Sequence, residues 1–335
     1  MPAEAVPAEE IWRRLLGSLT SQSLCVAAEL QLADHLGDGE MDVDDLATKA
    51  GALPDRLARV LRLLSSEGVF REVAPDRFAN TPLSHALRSD HPQSQRDFAA
   101  FVRQIVHPAA GELLHGVTTD EPAFEKAFGA KPFDMLFADP DATVMFTKAM
   151  ASAATLRTDL ADAYAWPESA TIVDVGGADG TILAQVLAPR PGLRGIVFDQ
   201  PHNAEGAHRV FEEAGIADRA EFVGGSFFEE VPAGGDIYAL SAVLHDWDDD
   251  NATTILENCR AAMGPDGKLL ILDFVLPSGD DWHPGKVLDV VMLTLLTGRE
   301  RYDHEWSALL ERGGFSITSV TPSTRVSLIE ARPVR

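Results

Sequence analysis

The chain is short of positive charge, cysteine and aromatic residues. Its 335 residues include 28 Lys and Arg against 52 Asp and Glu, a formal net charge of −24. A protein that grips nucleic acid needs a surplus of cations to displace counterions, so this balance argues against phosphate-backbone binding and leaves only a local basic face open. The 2 cysteines, Cys25 and Cys259, both fall inside apolar helical patterns. That excludes a disulfide scaffold and points to a reduced, cytoplasmic protein. Long hydrophobic runs are missing too: the most apolar window, residues 287–297, is shorter than the roughly 20 residues a bilayer-spanning helix needs and contains Asp289. The opening MPAEAVPAEE is acidic where a signal peptide is basic, so no membrane contact is expected. Neither HxxxH nor clustered Cys and His occurs, and no metal is expected.

What is present is core-forming material, 45% apolar residues over a length that suits about two domains. Near the N-terminus Ile11, Leu15, Leu19, Val26, Leu30 and Leu36 recur at spacings that put an apolar stripe on one helix face, weakened in the middle by Gly17. Such a stripe needs a cover. Next, Asp42 or Asp44 can cap a short helix over 45–50, Gly51 ends it, and a second helix starts near Pro54 and carries Leu57, Val60, Leu61 and Leu64. After Gly68, VFREVAPDRFANT reads as two short strands around a Pro-Asp turn. Helix, turn, helix and hairpin make the winged-helix pattern. Its literal meaning is a DNA-binding regulator, with Arg56, Arg59 and Arg62 on the second helix; the acidic chain favours a folding and dimerisation module instead. Residues 91–165 read as further helices, whose Phe124, Phe128, Phe133, Phe137 and Phe146 suit a pocket lining or ordinary core alike.

From Thr171 the pattern changes to strand-like runs (TIVDVGG, GIVFD, EFVGGSF, DIYALS, KLLILDFVL) separated or followed by helices over 181–187, 204–214, 251–263, 286–296 and 304–312. This alternation implies a parallel sheet with helices on both faces and ligands at the carboxyl ends of the strands. SITSVTPSTRVSLIEARP reads as a closing hairpin.

The strongest local signal is VDVGGADG, Val173 to Gly180, at the end of the first strand, where glycines let the backbone turn sharply and approach a ligand. It is not the dinucleotide fingerprint, because Ala178 stands where a glycine is required. Asp199 ends the second strand, where a carboxylate can grip a ribose diol or cap the next helix. Without a Walker lysine, the pair favours a nucleoside cofactor lacking phosphate, which is S-adenosylmethionine. LHDWDDD follows the fourth strand and places His245 at the crevice, where an ordinary pKa suits a general base, though the stretch alone reads equally as a helix-capping or core histidine; Asp248, Asp249 and Asp250 read as the acidic first turn of a helix. Glu300, in TGRER, can hold that imidazole in one tautomer or be a surface charge between two arginines.

VDVGGADG, FDQP, GGSFFEEVP, LHDWDDD and GRER, together with the winged-helix N-terminal half, resemble the class I S-adenosylmethionine-dependent small-molecule O-methyltransferases, the dimeric plant caffeate and bacterial polyketide-tailoring type. The resemblance implies a Rossmann-like sheet with helices on both faces and an N-terminal all-helical winged-helix dimerisation domain over 1–105. It further implies a pocket-lining helical connector over 106–160 and a cofactor-binding catalytic domain over 161–335. In its terms Gly176 and Gly177 hold the methionyl part, Asp199 the ribose, and Phe227 packs on adenine; His245 is the base, supported by Asp246 and Glu300, and Trp247 sits by the cofactor. Ser226 and Ser241 depart from an acid and a lysine common in the family. Phe146, Met150 and Met292 are candidates for the pocket of an aromatic acceptor. The implied protein is a homodimer joined through residues 11–36, methylating an aromatic hydroxyl; hydroxylation or decarboxylation on the same scaffold, and a winged-helix regulator, are the alternatives.

Overall fold

The change of texture near residue 170 coincides with a physical division. The computed structural model describes residues 6–154, 164–322 and 326–334. Within them the chain forms two compact units, one from Met1–Ala110 and Ala130–Leu156, the other from Gly111–Gly129 and Arg157–Arg335. The stretch expected as one connector is therefore divided, with 111–129 in the second unit and 130–154 in the first. The expected boundary at 160/161 lies outside the described residues.

In the first unit the N-terminal stripe is broken into three helices, Pro7–Leu15, Gly17–Glu29 and Leu32–Leu36, instead of the single helix the spacing suggested. Gln31 adopts a left-handed backbone (φ 53°) and turns the chain before the third. The stripe consequently has two fates: Ile11, Leu15 and Leu19 are exposed, Val26 and Leu30 are half-buried, and Leu36 is buried. The helix-turn-helix follows as Val43–Ala50, a left-handed Gly51 (φ 66°) and Pro54–Ser66 with proline in its first turn. Leu46, Leu61 and Leu64 pack there with Phe70 and Phe78 into one core. Asp42 does stand at the cap position, yet its carboxylate bonds Arg77 at 2.7 Å rather than the helix amides. That ion pair belongs to a small antiparallel sheet of β1 (Glu40–Asp42), β2 (Phe70–Ala74) and β3 (Arg77–Asn80), ordered β1-β3-β2. The half is thus helical with a three-stranded wing, one strand more than the hairpin expected, because residues 40–42 pair with β3, where Arg77 also bonds Glu40 and Asp42. Arg56 and Arg59 are exposed, and Arg62 pairs with Asp76.

The second unit contains β4 (Ala170–Val175), β5 (Leu193–Asp199), β6 (Ala220–Gly224), β7 (Ile237–Ser241), β8 (Lys268–Asp273), the two-residue strands β9 (Val275–Leu276) and β10 (Arg301–Tyr302), and β11 (Phe315–Thr321) and β12 (Ser327–Pro333). Seven of them form one sheet, ordered β11-β12-β8-β7-β4-β5-β6; β4 to β8 pair in parallel and β12 is antiparallel to both neighbours. The β11–β12 hairpin closes the sheet as read, with its turn residues 323–325 outside the described set. Strand periodicity sorts side chains to two faces. Val173, Tyr238, Leu269 and Ile271 meet Ile255, Leu256 and Trp306 on one face, while Ile172, Ile237, Leu270 and Leu272 meet Leu183, Leu187 and Phe211 on the other. Because β4 lies between β5 and β7, the order of strands reverses there while their direction does not, and this switch point is where ligands of such sheets bind, at the carboxyl ends of the strands. No described helix is long and apolar enough to cross a membrane.

Candidate active site

Five strand ends of the sheet deliver the chemistry-bearing residues. After β4, Gly176 and Gly180 take left-handed backbones (φ 74° and 73°), and so does Ala178 (φ 49°). An alanine there costs about 1 kcal/mol relative to glycine, which is the physical content of the missing third glycine. The flanking glycines have no such latitude: a β-carbon on Gly176 would stand 2.7 Å from Val243 Cγ2, and one on Gly177 would stand 2.5 Å from Asp174 Oδ2. Asp199, at the end of β5, accepts the Ala178 amide at 2.7 Å on one oxygen and the Gln200 amide and Asn203 side chain on the other. Asp199 therefore locks the glycine loop to β5 and caps the following turn.

Asp174 lies beneath that loop, buried, with one oxygen lacking a partner. Burial first, then Asp199 and Asp179, push its carboxyl up to about 7. The loop residues 174–180 contain two acids, Asp174 and Asp179, and no Lys or Arg, and Asp199 bonds the loop from the end of β5. Such a crevice repels phosphate and suits a cofactor bearing positive charge, so its residues fit S-adenosylmethionine.

After β6, the Phe227 ring approaches the glycine loop, 3.7 Å from where a Gly176 β-carbon would be, and its carbonyl receives Asn258 Nδ2 at 2.9 Å. Phe227, Phe228 and Trp247 form an edge-to-face cluster with centroids 4.7–6.1 Å apart. The Ser226 hydroxyl accepts the Phe228 amide at 3.3 Å, and Ser241 is half-buried at the end of β7.

His245 follows β7 in a short helical turn and is buried, 4% exposed. Its Nδ1 lies 2.8 Å from Glu300 Oε1 and 3.2 Å from Asp273 Oδ1, and its Nε2 lies 3.4 Å from Asp246 Oδ1. The structure thus brings His245, Asp246 and Glu300 together and adds Asp273, which sequence reasoning missed. Its signal was a lone acid ending the apolar run KLLILD at the carboxyl edge of the sheet. Two carboxylates at Nδ1 assign the proton to that nitrogen and leave Nε2 as the basic atom. Burial by itself lowers the imidazole pKa, but Asp273, Asp246 and Glu300 outweigh it and push it up to about 9. Burial and the Asp273 charge likewise raise the Glu300 carboxyl against the pull of the imidazole, so the cluster titrates as a unit. The donor atoms of His245, Asp273 and Glu300 lie within 4.8 Å of one another, a set a divalent ion also accepts. The 2.8 Å Nδ1–Oε1 approach is nonetheless a hydrogen-bond length, shorter than the roughly 3.3 Å between two ligands on one zinc ion.

GRER turns out to hold three different charges. Arg299 is exposed, Glu300 is buried against His245, and Arg301 is fully buried. Gly298 explains the motif's first letter: a β-carbon there would sit 1.9 Å from the His245 carbonyl oxygen. Asp248, expected in the acidic first turn, instead caps the helix Asp249–Ala262 by accepting the Asn251 amide at 2.9 Å, with Asp249 and Asp250 in that turn. Phe146 and Met150 lie half-buried in the first unit, Phe146 in an aromatic cluster with Phe101, Phe133 and Phe137; Met292 is buried in the second. Phe124 is fully buried core.

A doubly wound sheet with an acid-lined glycine loop and a carboxylate-bound histidine at its crevice defines an S-adenosylmethionine-dependent methyltransferase. Residues 111–316 match the O-methyltransferase domain and residues 12–90 the O-methyltransferase dimerisation domain. The chain is 43% identical over 335 residues to a phenazine O-methyltransferase of Lysobacter antibioticus, covering 99% of this chain and 98% of the relative. The crystal structure of LaPhzM superposes with a TM-score of 0.91 at 43% identity, over 98% of this chain and 100% of that one. The O-methyltransferase NcsB1 of neocarzinostatin biosynthesis, solved with S-adenosylmethionine and 2-hydroxy-5-methyl naphthoic acid, gives 0.83 at 34% identity, over 94% of this chain and 96% of that one. This chain belongs to the S-adenosylmethionine-dependent O-methyltransferase family.

Two outcomes follow from the geometry. Replacing Asp273 by Asn removes the charge that most raises the His245 pKa, so the ascending limb of the kcat/KM pH profile moves to lower pH; an unmoved limb rejects the assignment. Gly298→Ala forces the 298–301 segment away from the His245 carbonyl, and turnover falls at least about tenfold while thermal unfolding shows the fold retained.

Proposed function

We propose that this enzyme methylates a hydroxyl of an aromatic small molecule, a phenol or polyketide-type secondary metabolite, with His245 as general base. The buried His245 with Nδ1 held by Glu300 and Asp273 carries this reading. When bound, S-adenosylmethionine supplies an electrophilic methyl carbon on a sulfonium. Gly176 and Gly177 would hold its methionyl part, Asp199 its ribose, and Phe227 and Ser226 its adenine, with Ser241 and Trp247 beside it. A phenol with a pKa of about 10 is a weak nucleophile at neutral pH until its proton leaves. His245 Nε2 takes that proton, and the Nδ1–H bond to Glu300, with Asp273 beside it, stabilises the imidazolium that forms. Because the free cluster holds its own proton up to about pH 9, the neutral base is a minor species at pH 7 and kcat/KM rises with pH through the neutral range. General-base help contributes roughly 10²–10⁴ in rate, and alignment of two bound reactants contributes more. Phe146, Met150 and Met292 supply soft, apolar surface of the kind a flat ring accepts.

Two relatives, the phenazine O-methyltransferase and a 2,7-dihydroxy-5-methyl-1-naphthoate 7-O-methyltransferase of Streptomyces carzinostaticus, support an aromatic acceptor. The test incubates the enzyme and its His245→Ala variant with S-adenosylmethionine and a panel of phenols, hydroxyphenazines and hydroxynaphthoates, read by mass spectrometry. Expected are a product heavier by one CH₂ group and, in the variant, a turnover loss of about 10²-fold or more with cofactor affinity kept. A product that gains oxygen or loses carbon dioxide overturns methyl transfer, and undiminished turnover removes His245 from it.

We further propose a homodimer joined through the N-terminal helices. Ile11, Trp12, Leu15 and Leu19 are 58%, 65%, 74% and 55% exposed, an apolar face next to and within the dimerisation-domain match. No nucleic-acid role is proposed for the wing, and the two buried free cysteines support a cytoplasmic setting. Charging the face with Leu15→Glu and Leu19→Glu together shifts the sedimenting species from dimer to monomer; a persistent dimer places the interface elsewhere.

A further inference from the structure

Arg301 is 0% exposed, although a guanidinium keeps its charge at any working pH. Its Nη1 donates to the Leu244 carbonyl at 3.0 Å and its Nη2 to the Trp247 carbonyl at 3.0 Å. Nε and Nη2 also reach Asp249 Oδ1 at 3.1 and 2.8 Å, and the guanidinium carbon lies 5.4 Å from the Trp306 ring centroid. The two carbonyls bracket His245 and Asp246 in the chain, so one rigid fork pins both ends of the turn that presents the base. Arg301 is covalently next to Glu300, whose side chain meets His245 Nδ1 at 2.8 Å and whose amide is fixed by Asp289 Oδ1 at 2.9 Å. One dipeptide therefore grips the His245 turn twice, by backbone carbonyls and by the imidazole.

We infer that Arg301 is a positioning residue for methyl transfer, setting the distance between His245 and its two carboxylate partners through the Leu244 and Trp247 carbonyls. The inference rests on His245 acting as the base. A purely stabilising ion pair explains the arrangement poorly, because the one carboxylate Arg301 meets among the described residues, on Asp249, is 40% exposed, and a half-solvated pair returns little against the cost of burying a guanidinium. The fork geometry is what a lysine cannot copy: three donors on one nitrogen do not span two carbonyls and a carboxylate. Loosening the turn moves the imidazole away from Glu300 and Asp273 while leaving it buried, so the interactions that raise its pKa weaken and the burial that lowers it stays.

The experiment follows the His245 ring by NMR in the full-length enzyme labelled at histidine, its signal identified by its loss in His245→Ala. Cofactor affinity is measured by calorimetry with S-adenosylmethionine, and kcat and KM with the acceptor found by the panel above. For Arg301→Lys the expected result is a folded protein with cofactor affinity within about threefold, a His245 titration midpoint at lower pH, and kcat reduced at least about tenfold at little-changed KM. A His245 midpoint and kcat equal to those of the unaltered enzyme overturn the inference, as does a loss of kcat matched by an equal loss of cofactor affinity. Should Arg301→Lys fail to fold, Asp249→Asn frees the fork at its solvent-facing end; a smaller downward shift of the midpoint sustains the inference and an unmoved midpoint overturns it. An active His245→Ala instead removes the base reading itself, which keeps the two failures apart.

Discussion

A neutral crevice cannot keep an imidazole both buried and basic; the second unit is organised around that constraint. Burial drives His245 towards its uncharged form, and only carboxylates brought within hydrogen-bond distance reverse the direction. Those carboxylates come from separate stretches of chain: Asp273 from the end of β8 and Glu300 from the segment entering β10. Each is itself buried, 1% and 2% exposed, and each retains one oxygen without a protein partner. Like charges this close stay in place only because the imidazolium lies between them and the backbone around them is fixed. The close approach of Gly298 to the His245 carbonyl and the buried side chain of Arg301 do that fixing.

The same sheet edge carries a second concentration of acid, with Asp174, Asp179 and Asp199 around the glycine loop. The chain's large negative balance is thus partly local and functional in sign. A crevice of this charge disfavours nucleotides that bind through phosphate and tolerates a sulfonium or an ammonium. Together with the base cluster it makes the carboxyl edge of the parallel sheet acidic along its length, while both faces are closed by apolar helices.

Much of this was legible before any coordinates. The alternation of apolar runs and helical periods from Thr171 onward gave the sheet, since strands buried on both faces must be apolar throughout and crossover helices must be amphipathic. Gly51 and Pro54 bounded the helix-turn-helix by their backbone preferences alone. The acidic start of the helix after His245 was readable for the same reason, although Asp248 proves to be its cap and only Asp249 and Asp250 stand in the first turn. By contrast, β1 was invisible: three residues have no periodicity to detect, and the strand is defined by its pairing with β3, where Met41 stands opposite Phe78, some 37 positions on in the chain. The N-terminal stripe showed an apolar face but not the turn at Gln31, whose left-handed backbone has no marker in a residue that is neither Gly nor Asn.

Local chemistry written in the sequence determined the class of fold, the turn at the glycine loop and the cofactor type, because each depends on residues near one another in the chain; it also singled out His245 as the candidate base. Only the tertiary structure decided what TGRER means. Three adjacent charges read alike as letters, yet Arg299 faces solvent, Glu300 meets an imidazole 55 residues earlier in the chain, and Arg301 disappears beneath the turn that carries it. The tertiary structure also supplied Asp273, an acid with no neighbour in sequence to announce it. Burial and long-range contact set the free energy of a charge, and neither can be read from the order of residues.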